Sequence, residues 1–443
     1  MRRSLALIGS ALAAITLGAT QTADVDVLEQ VRSVEDRIAA IVRARPQGHL
    51  LALRADEAAR NAEARVRADR WLSPAQAAAR GRAWRDVGLG SGPEPGELLL
   101  ALASDLDGMT LDASRTRLLV DPERLRADDG RGDPEQDAES SVLLATGVAP
   151  DEPVAGHYAA HALLDGADVA GPVTTDALLA RASMAEGSAN LAALLLLFGG
   201  VGLESEVVAG TLRPEDALGG RLVPGAMRSG SPAVTSLLQF VYLDGFAQMA
   251  ALAKKADFGH VSRERQRRKT TRDVLHLDRA PAAAADLAVP AVPAGTGLSV
   301  VDRDVLGEQG IISLVSLTTG KDNLGMIAGD GWIGDALFRL EAPAERTDAG
   351  GLTVWVSRWA TEEDAKDFAY GVERCLQARF PAVPVADDPG VGGRVLRESA
   401  AVHRITRSGV EVRVQVASQE LDARLVVPEK KKGTERRGQP PRK

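Results

Sequence analysis

Between Asp26 and Arg45 the apolar residues Val27, Val31, Val34, Ile38 and Ile41 recur three and four apart, which is one face of a helix, and Pro46 ends the run. A second helical segment, rich in Ala and Arg, spans residues 55–70, and Ser73-Pro74 opens a third with a serine N-cap and a proline in the first turn. Charges of alternating sign on these segments predict a solvated helical arm. After the SGPEPG loop a short helix is expected over 97–106, and Thr116 to Val120 reads as a strand closed by Asp121-Pro122. Two apolar helical segments follow, one from Pro153 and one from Ala177 to Phe198, the second opened by Thr175-Asp176. A later helix over 237–256 places Phe240, Leu243, Ala247 and Ala251 on one side, which is read as core.

Beyond an Ala/Pro-rich linker at 281–297 the pattern changes. Residues 336–340 and 352–359 alternate as strands, and Thr361 caps a helix running to about Arg379. A hairpin follows, over 401–406 and 410–416, around Arg407-Ser408-Gly409. The GVGGR run at 390–394 is no phosphate loop, since neither a strand before it nor a helix after it is evident. The expected architecture is α+β: a mainly helical domain over 24–285 and a smaller α+β domain over 298–427. The stretches 127–140, acidic, and 200–232, Gly/Pro-rich, are expected to be irregular.

The ends of the chain bear on location. Arg2 and Arg3 followed by LALIGSALAAITLGA have the form of an export signal over residues 1–23, or of an uncleaved N-terminal anchor. The expected location is therefore outside the cytoplasm: periplasmic, cell envelope or extracellular. No other stretch holds the roughly 18 uninterrupted apolar residues that a spanning helix needs. The tail from Glu429 carries seven Lys/Arg and two Glu, so the chain's net charge of −8 leaves −13 for the rest. An acidic body argues against nucleic-acid binding, and the tail over 428–443 is expected to be disordered, with contact to an anionic membrane surface as its other reading. The basic run SRERQRRK at 262–269 is read as a solvated helix face. A single cysteine, Cys375, excludes an intramolecular disulfide, so the fold rests on its core.

Chemistry concentrates in the first apolar pair. His157 and His161 lie four apart, on one helical face, and Glu186 sits in the second apolar segment. Two imidazoles and a carboxylate from a neighbouring helix make a three-ligand zinc site with an open position. The other reading is an Ala/Leu-rich core helix whose histidines bond to carbonyls. A lone buried carboxylate is costly unless paired or bound to a cation, which gives Glu186 a reason to face the histidines. In the H-E-x-x-H form of this motif the glutamate is general base for the attacking water. Here that position is Tyr158, and a phenol with a pKa of about 10 is a poor base at neutral pH.

GHYAAHALLDG and AEGSA resemble the active helix and third-ligand segment of a bacterial family of gluzincin-type zinc metallopeptidases, H-E-L-x-H-A-L-Q-D-Q and E-G-D-A. Matches fall at His157, His161, Ala162, Leu163, Asp165, Glu186, Gly187 and Ala189, and departures at Tyr158, Leu164, Gly166 and Ser188. The resemblance covers about 85–380: Gly108 and Asp112, then Tyr242 and Gly245, then Thr271, Leu275 and His276, then Leu306, Gly307, Glu308 and Gly310, and last AGDGWIGDA with Ala336 in place of arginine. It implies a zincin-like helical domain with zinc on His157, His161 and Glu186, and a place near the centre for His276, where an imidazole steadies an oxyanion. A purely structural role is the other reading of His276. With the base replaced, three functions stand open: a non-hydrolytic pseudo-enzyme that binds a protein or peptide ligand, an atypical hydrolase recruiting Glu152, Asp151 or Asp165 as base, and a structural protein without metal.

Overall fold

The computed structural model describes residues 25–45, 49–104, 106, 108–121, 152–165, 171, 173–197, 222, 224–255, 258–289, 296–343, 351–388 and 392–425. Residues 1–23, read above as an export signal or anchor, the acidic stretch 127–140, most of 200–232, Asp151, Gly166 and the basic tail lie outside them. Among the described residues no helix is long and apolar enough to cross a membrane.

The fold is α+β. Helix α1 (Val25–Val42) buries Val31, Val34, Ile38 and Val42, the stripe its spacing predicts. Its buried Glu35 accepts from Leu50 N and draws in strand β1 (Leu51–Arg54). Helix α2 (Glu57–Trp71) is N-capped by Asp56, and α3 (Pro74–Val87) by a Ser73/Gln76 capping box with Gly88 as its left-handed C-cap. Helix α4 (Glu94–Ala103) starts three residues earlier than expected, since the prolines of the loop serve its first turn. Strands β2 (Met109–Leu111) and β3 (Arg117–Val120) complete a three-stranded sheet of order β1-β3-β2, with β1 parallel and β2 antiparallel to β3.

Helices α5 (Glu152–Leu164) and α6 (Thr175–Leu197) are buried on nearly every side, as apolar all-round helices must be, and they run through the centre of the helical part. After a short α7 (Ala226–Ser229) come α8 (Pro232–Gln239), a π-turn over Phe240–Asp244 and α9 (Gly245–Lys255). The π-turn corrects the predicted core stripe. Its wider turn brings Phe240, Val241 and Tyr242 inside together, and burial resumes at Phe246, Met249 and Leu252, while Ala247 and Ala251 face outward. Helix α10 (Phe258–Arg267) corrects a second expectation. The basic run is solvated only in part: Arg263, Arg267 and Lys269 are exposed, but Arg268 is buried against Glu264 and three backbone carbonyls, and Arg265 pairs with Asp165. Helix α11 (Thr271–Leu275) is closed by a Thr270/Asp273 capping box.

The C-terminal part is a seven-stranded antiparallel sheet of order β4-β5-β6-β10-β9-β8-β7. In chain order its elements are β4 (Ser299–Asp304), α12 (Gly307–Thr319), α13 (Asp322–Gly329), β5 (Trp332–Glu341), β6 (Gly351–Trp359), α14 (Glu362–Arg379), β7 (Ala386–Asp388), β8 (Gly393–Arg397), β9 (Val402–Ser408), β10 (Glu411–Ala417) and α15 (Gln419–Leu425). One sheet face sends Leu337, Trp355 and Val414 into the main core, where Phe368 of α14 packs on Trp355 and Trp359. The other face buries Ala336, Phe338, Leu340, Leu352 and Val354 under Leu421 and Leu287. Residues of the expected linker are thus docked, with Ala285 N donating to Ile333 O.

The main core is continuous from the helical part into the sheet. Buried carboxylates fasten the junction: Asp304 accepts from Trp84 Nε1 and Thr175 N, Arg80 pairs with Asp302 and Asp304, and Asp176 accepts from Thr271. Gly307, at φ 74°, passes so close to Asp176 that a Cβ there would fall 1.9 Å from its Oδ1.

Candidate metal centre

The site forms where α5 crosses α6. A Cβ on Gly187 would sit 2.3 Å from Gly245 O, so α6 and α9 approach at a pair of glycines. That close crossing brings Tyr242 of the π-turn beside Glu186, to which its hydroxyl is hydrogen-bonded. His157 and His161, one turn apart on α5, face the same carboxylate. Their Nε2 atoms are 3.1 Å apart, and each lies 3.3 Å from Glu186 Oε2. All three sequence-predicted ligands therefore meet at one point, as a group able to hold a metal ion.

Each imidazole is held from behind. His157 Nδ1 is 2.8 Å from Asn190 Oδ1, and His161 Nδ1 is 2.5 Å from Asp165 Oδ2. With Nδ1 as donor to these acceptors, both Nε2 lone pairs point at Glu186. Asp165 is itself held by Arg115 and Arg265. Arg115 takes this position from the β2–β3 turn with φ 57°, a left-handed conformation uncommon outside glycine.

Burial is the largest influence on the three groups. It holds both imidazoles below their ordinary pKa, so they are neutral donors at pH 7. Burial acts upward on Glu186, and only positive charge at His161 and His157 would hold its carboxyl below the ordinary range, a charge that the neutral imidazoles do not themselves supply. Tyr242 is raised well above the usual phenol value, first by burial and then by Glu186, and so stays protonated as a donor to it.

A buried anion against two neutral lone pairs needs one positive charge at the centre. Bonds of about 2.0–2.2 Å around a tetrahedral ion separate its ligand atoms by about 3.3–3.5 Å. The two Nε2–Oε2 separations of 3.3 Å meet that spacing, and the Nε2–Nε2 separation of 3.1 Å falls just below it. The cavity bounded by these side chains, Tyr158 and Tyr242 has a volume of about 20 Å³, room for an ion or a single water.

Tyr158 does not turn its hydroxyl to the three ligands. It donates to Met109 O at 2.6 Å and accepts from Leu106 N at 2.8 Å, tying α5 to the start of β2. Its ring stands edge-on to His157, with centroids 5.3 Å apart. Of the alternative bases, Glu152 pairs with Arg37 at the opposite end of α5, and both oxygens of Asp165 are engaged. His276 is placed elsewhere: its Nε2 bonds Glu308 at 2.8 Å, which joins α11 to α12, and it is not among the residues lining the cavity.

Asn190 and Tyr242 were not anticipated as parts of the site, nor were Arg115 and Arg265. Asn190 was legible, one turn after Glu186 as Asp165 is one turn after His161. Tyr242, placed by the π-turn, and Arg115, placed by a strained turn, leave no comparable trace in the sequence.

A family model described as a domain of unknown function (DUF8575) matches residues 297–426. That span holds the seven-stranded sheet and its helices, and none of the three ligands. No curated protein and no solved structure matches the chain.

Proposed function

We propose that this chain is an exported pseudo-metallopeptidase, a zincin-like scaffold that holds zinc on His157, His161 and Glu186 and does not hydrolyse peptides. The convergence of three ligand atoms within 3.3 Å, with both Nδ1 atoms fixed from behind, carries the metal reading. Two imidazoles and one carboxylate are the donor set that suits zinc. Zinc in such a set supplies Lewis-acid polarisation of a carbonyl oxygen.

The chain's own residues supply binding and orientation without a base. Asn190 and Asp165 set the histidine tautomers, and Tyr242 donates to Glu186. Tyr158, the residue in the base position, is engaged with backbone. Loss of a general base lowers rates typically 10²–10⁴-fold. The retained role is then recognition of a protein or peptide ligand outside the cytoplasm, with the N-terminus or the basic tail as candidate contacts to a membrane surface. The test is cleavage of unfolded casein with added zinc, by wild type and by Tyr158→Phe. No cleavage by either is expected, and chelator-sensitive cleavage by both would overturn the reading.

A further inference from the structure

The C-terminal part leaves Val300, Val301, Leu317, Met326, Ile327 and Tyr370 exposed. Single exposed residues of this kind are ordinary, but three of these are gathered on one face. Helices α13 and α14 meet at Gly371, where a Cβ would lie 2.9 Å from that of Ala328. Beyond the contact Gly329 and Val372 turn inward, so the residues just before it, Ile327 and Tyr370, are left on the solvent side, 50% and 54% exposed. Met326, 57% exposed, extends the apolar face along α13.

The charges beside Tyr370 have an order. Asp367 lies one turn before it and Arg374 one turn after it, on the same side of α14. Asp367 has no ion-pair partner among the described residues, and its carboxyl is pushed up by burial and by Glu363 and Asp364 alongside. The neighbouring Lys366 is paired with Glu363. Arg374 bonds the Gln377 side chain and no carboxylate among the described residues. Tyr370 thus stands between an uncompensated anion and an uncompensated cation. A partner of one sign would satisfy only one of them. A helix of the same sequence, crossing antiparallel at Tyr370, sets an arginine over each aspartate in both directions. Such reciprocity is what a two-fold axis between identical chains supplies.

We propose that the C-terminal part pairs with a second copy of the chain through α13 and α14. The contact is two-fold and antiparallel, centred on Tyr370, with Asp367 facing Arg374 of the partner subunit and with Met326 and Ile327 covered. The face is small beside an obligate interface, so the dimer is weak and reversible. None of the three metal ligands lies on these helices, and the proposal stands apart from the zinc reading.

Sedimentation equilibrium of the full chain over a concentration series measures the pairing, and circular dichroism checks the fold of each variant. A monomer–dimer equilibrium with a dissociation constant below about 100 μM is expected. Ile327→Ser, Asp367→Arg and Arg374→Asp should each weaken it at least tenfold. The two charge changes combined should restore it to within about threefold of wild type, since the swapped charges again face opposite ones. Should a charge change disturb α14, Ile327→Ser on α13 still decides. A wild type that stays monomeric to about 100 μM would overturn the proposal and leave the face to a different protein. A dimer of wild-type strength in Ile327→Ser, or a folded double variant that pairs no better than the single ones, would overturn it as well.

Discussion

Asp165→Asn separates what supports the metal from what supports the fold. Asp165 holds His161 Nδ1 and two arginines whose side chains are only 12% and 11% exposed. Losing the carboxylate behind a ligating histidine lowers metal affinity about 10–100-fold, which is about 1.4–2.7 kcal/mol. Breaking a buried ion pair by removing one partner costs about 3–5 kcal/mol, and the acceptor oxygen that asparagine keeps places the expected loss near the lower figure. The two contributions divide by denaturant unfolding of wild type and variant, each stripped with chelator and each loaded with excess zinc. The ion-pair loss appears in both states and cancels in the difference between them. With zinc far above its dissociation constant, the stabilisation on loading falls by the full affinity ratio. The variant should therefore gain about 1.4–2.7 kcal/mol less from zinc than wild type does. If both gain the same amount to within about 0.3 kcal/mol, below the smallest effect this linkage allows, Asp165 has no role at the centre.

Tyr158→Phe removes a hydroxyl that bonds backbone rather than the ligands, so zinc content should be unchanged while thermal unfolding reports a loss of about 1 kcal/mol. Gly187→Ala drives a methyl into Gly245 O, and overpacking of this kind typically costs about 1–3 kcal/mol; zinc retention should fall with it, because the crossing seats Tyr242 on Glu186. Asp176 has its pKa raised to about 7, chiefly by burial, with Thr271 hydrogen bonds acting downward. Its folded value lies above the unfolded one, so the folded state binds the extra proton between about pH 4 and 7 and this group's contribution to stability grows as pH falls through that window. Wild type should accordingly gain on Asp176→Asn in urea unfolding as pH drops from 7.5 to 5, and a constant gap across that range would refute the assignment.

What was legible in the chain is what local rules govern. The caps at Ser73 and Thr361, the stripe of α1 and the strands read at 336–340 and 352–359 follow from short-range periodicity and turn chemistry, although the first of these strands begins four residues earlier, at Trp332. The two histidine ligands followed from helical spacing, since His157 and His161 share a face whatever surrounds them, and Glu186 from the cost of a lone carboxylate in an apolar segment. Elements set by long-range contacts were hidden. Strand β4 carries Asp302, Arg303 and Asp304 because its acids face Arg80 of α3, and a β-bulge between Val300 and Asp302 breaks its alternation. Arg265 and Arg268 were read as solvated because a charge run normally is; the partner of Arg265, Asp165, lies 100 residues earlier. The face of α9 was misjudged because one π-turn rotates everything after it.

The account rests on a cation held by two imidazoles and a carboxylate, and a proton shared between the histidines would serve the same charge. Zinc titration of chelator-stripped protein, followed by calorimetry on wild type and His161→Ala, distinguishes the two most directly. The prediction is one zinc per chain in wild type, with binding lost or weakened by orders of magnitude in the variant. Equal zinc binding by both, or none by wild type, would contradict it.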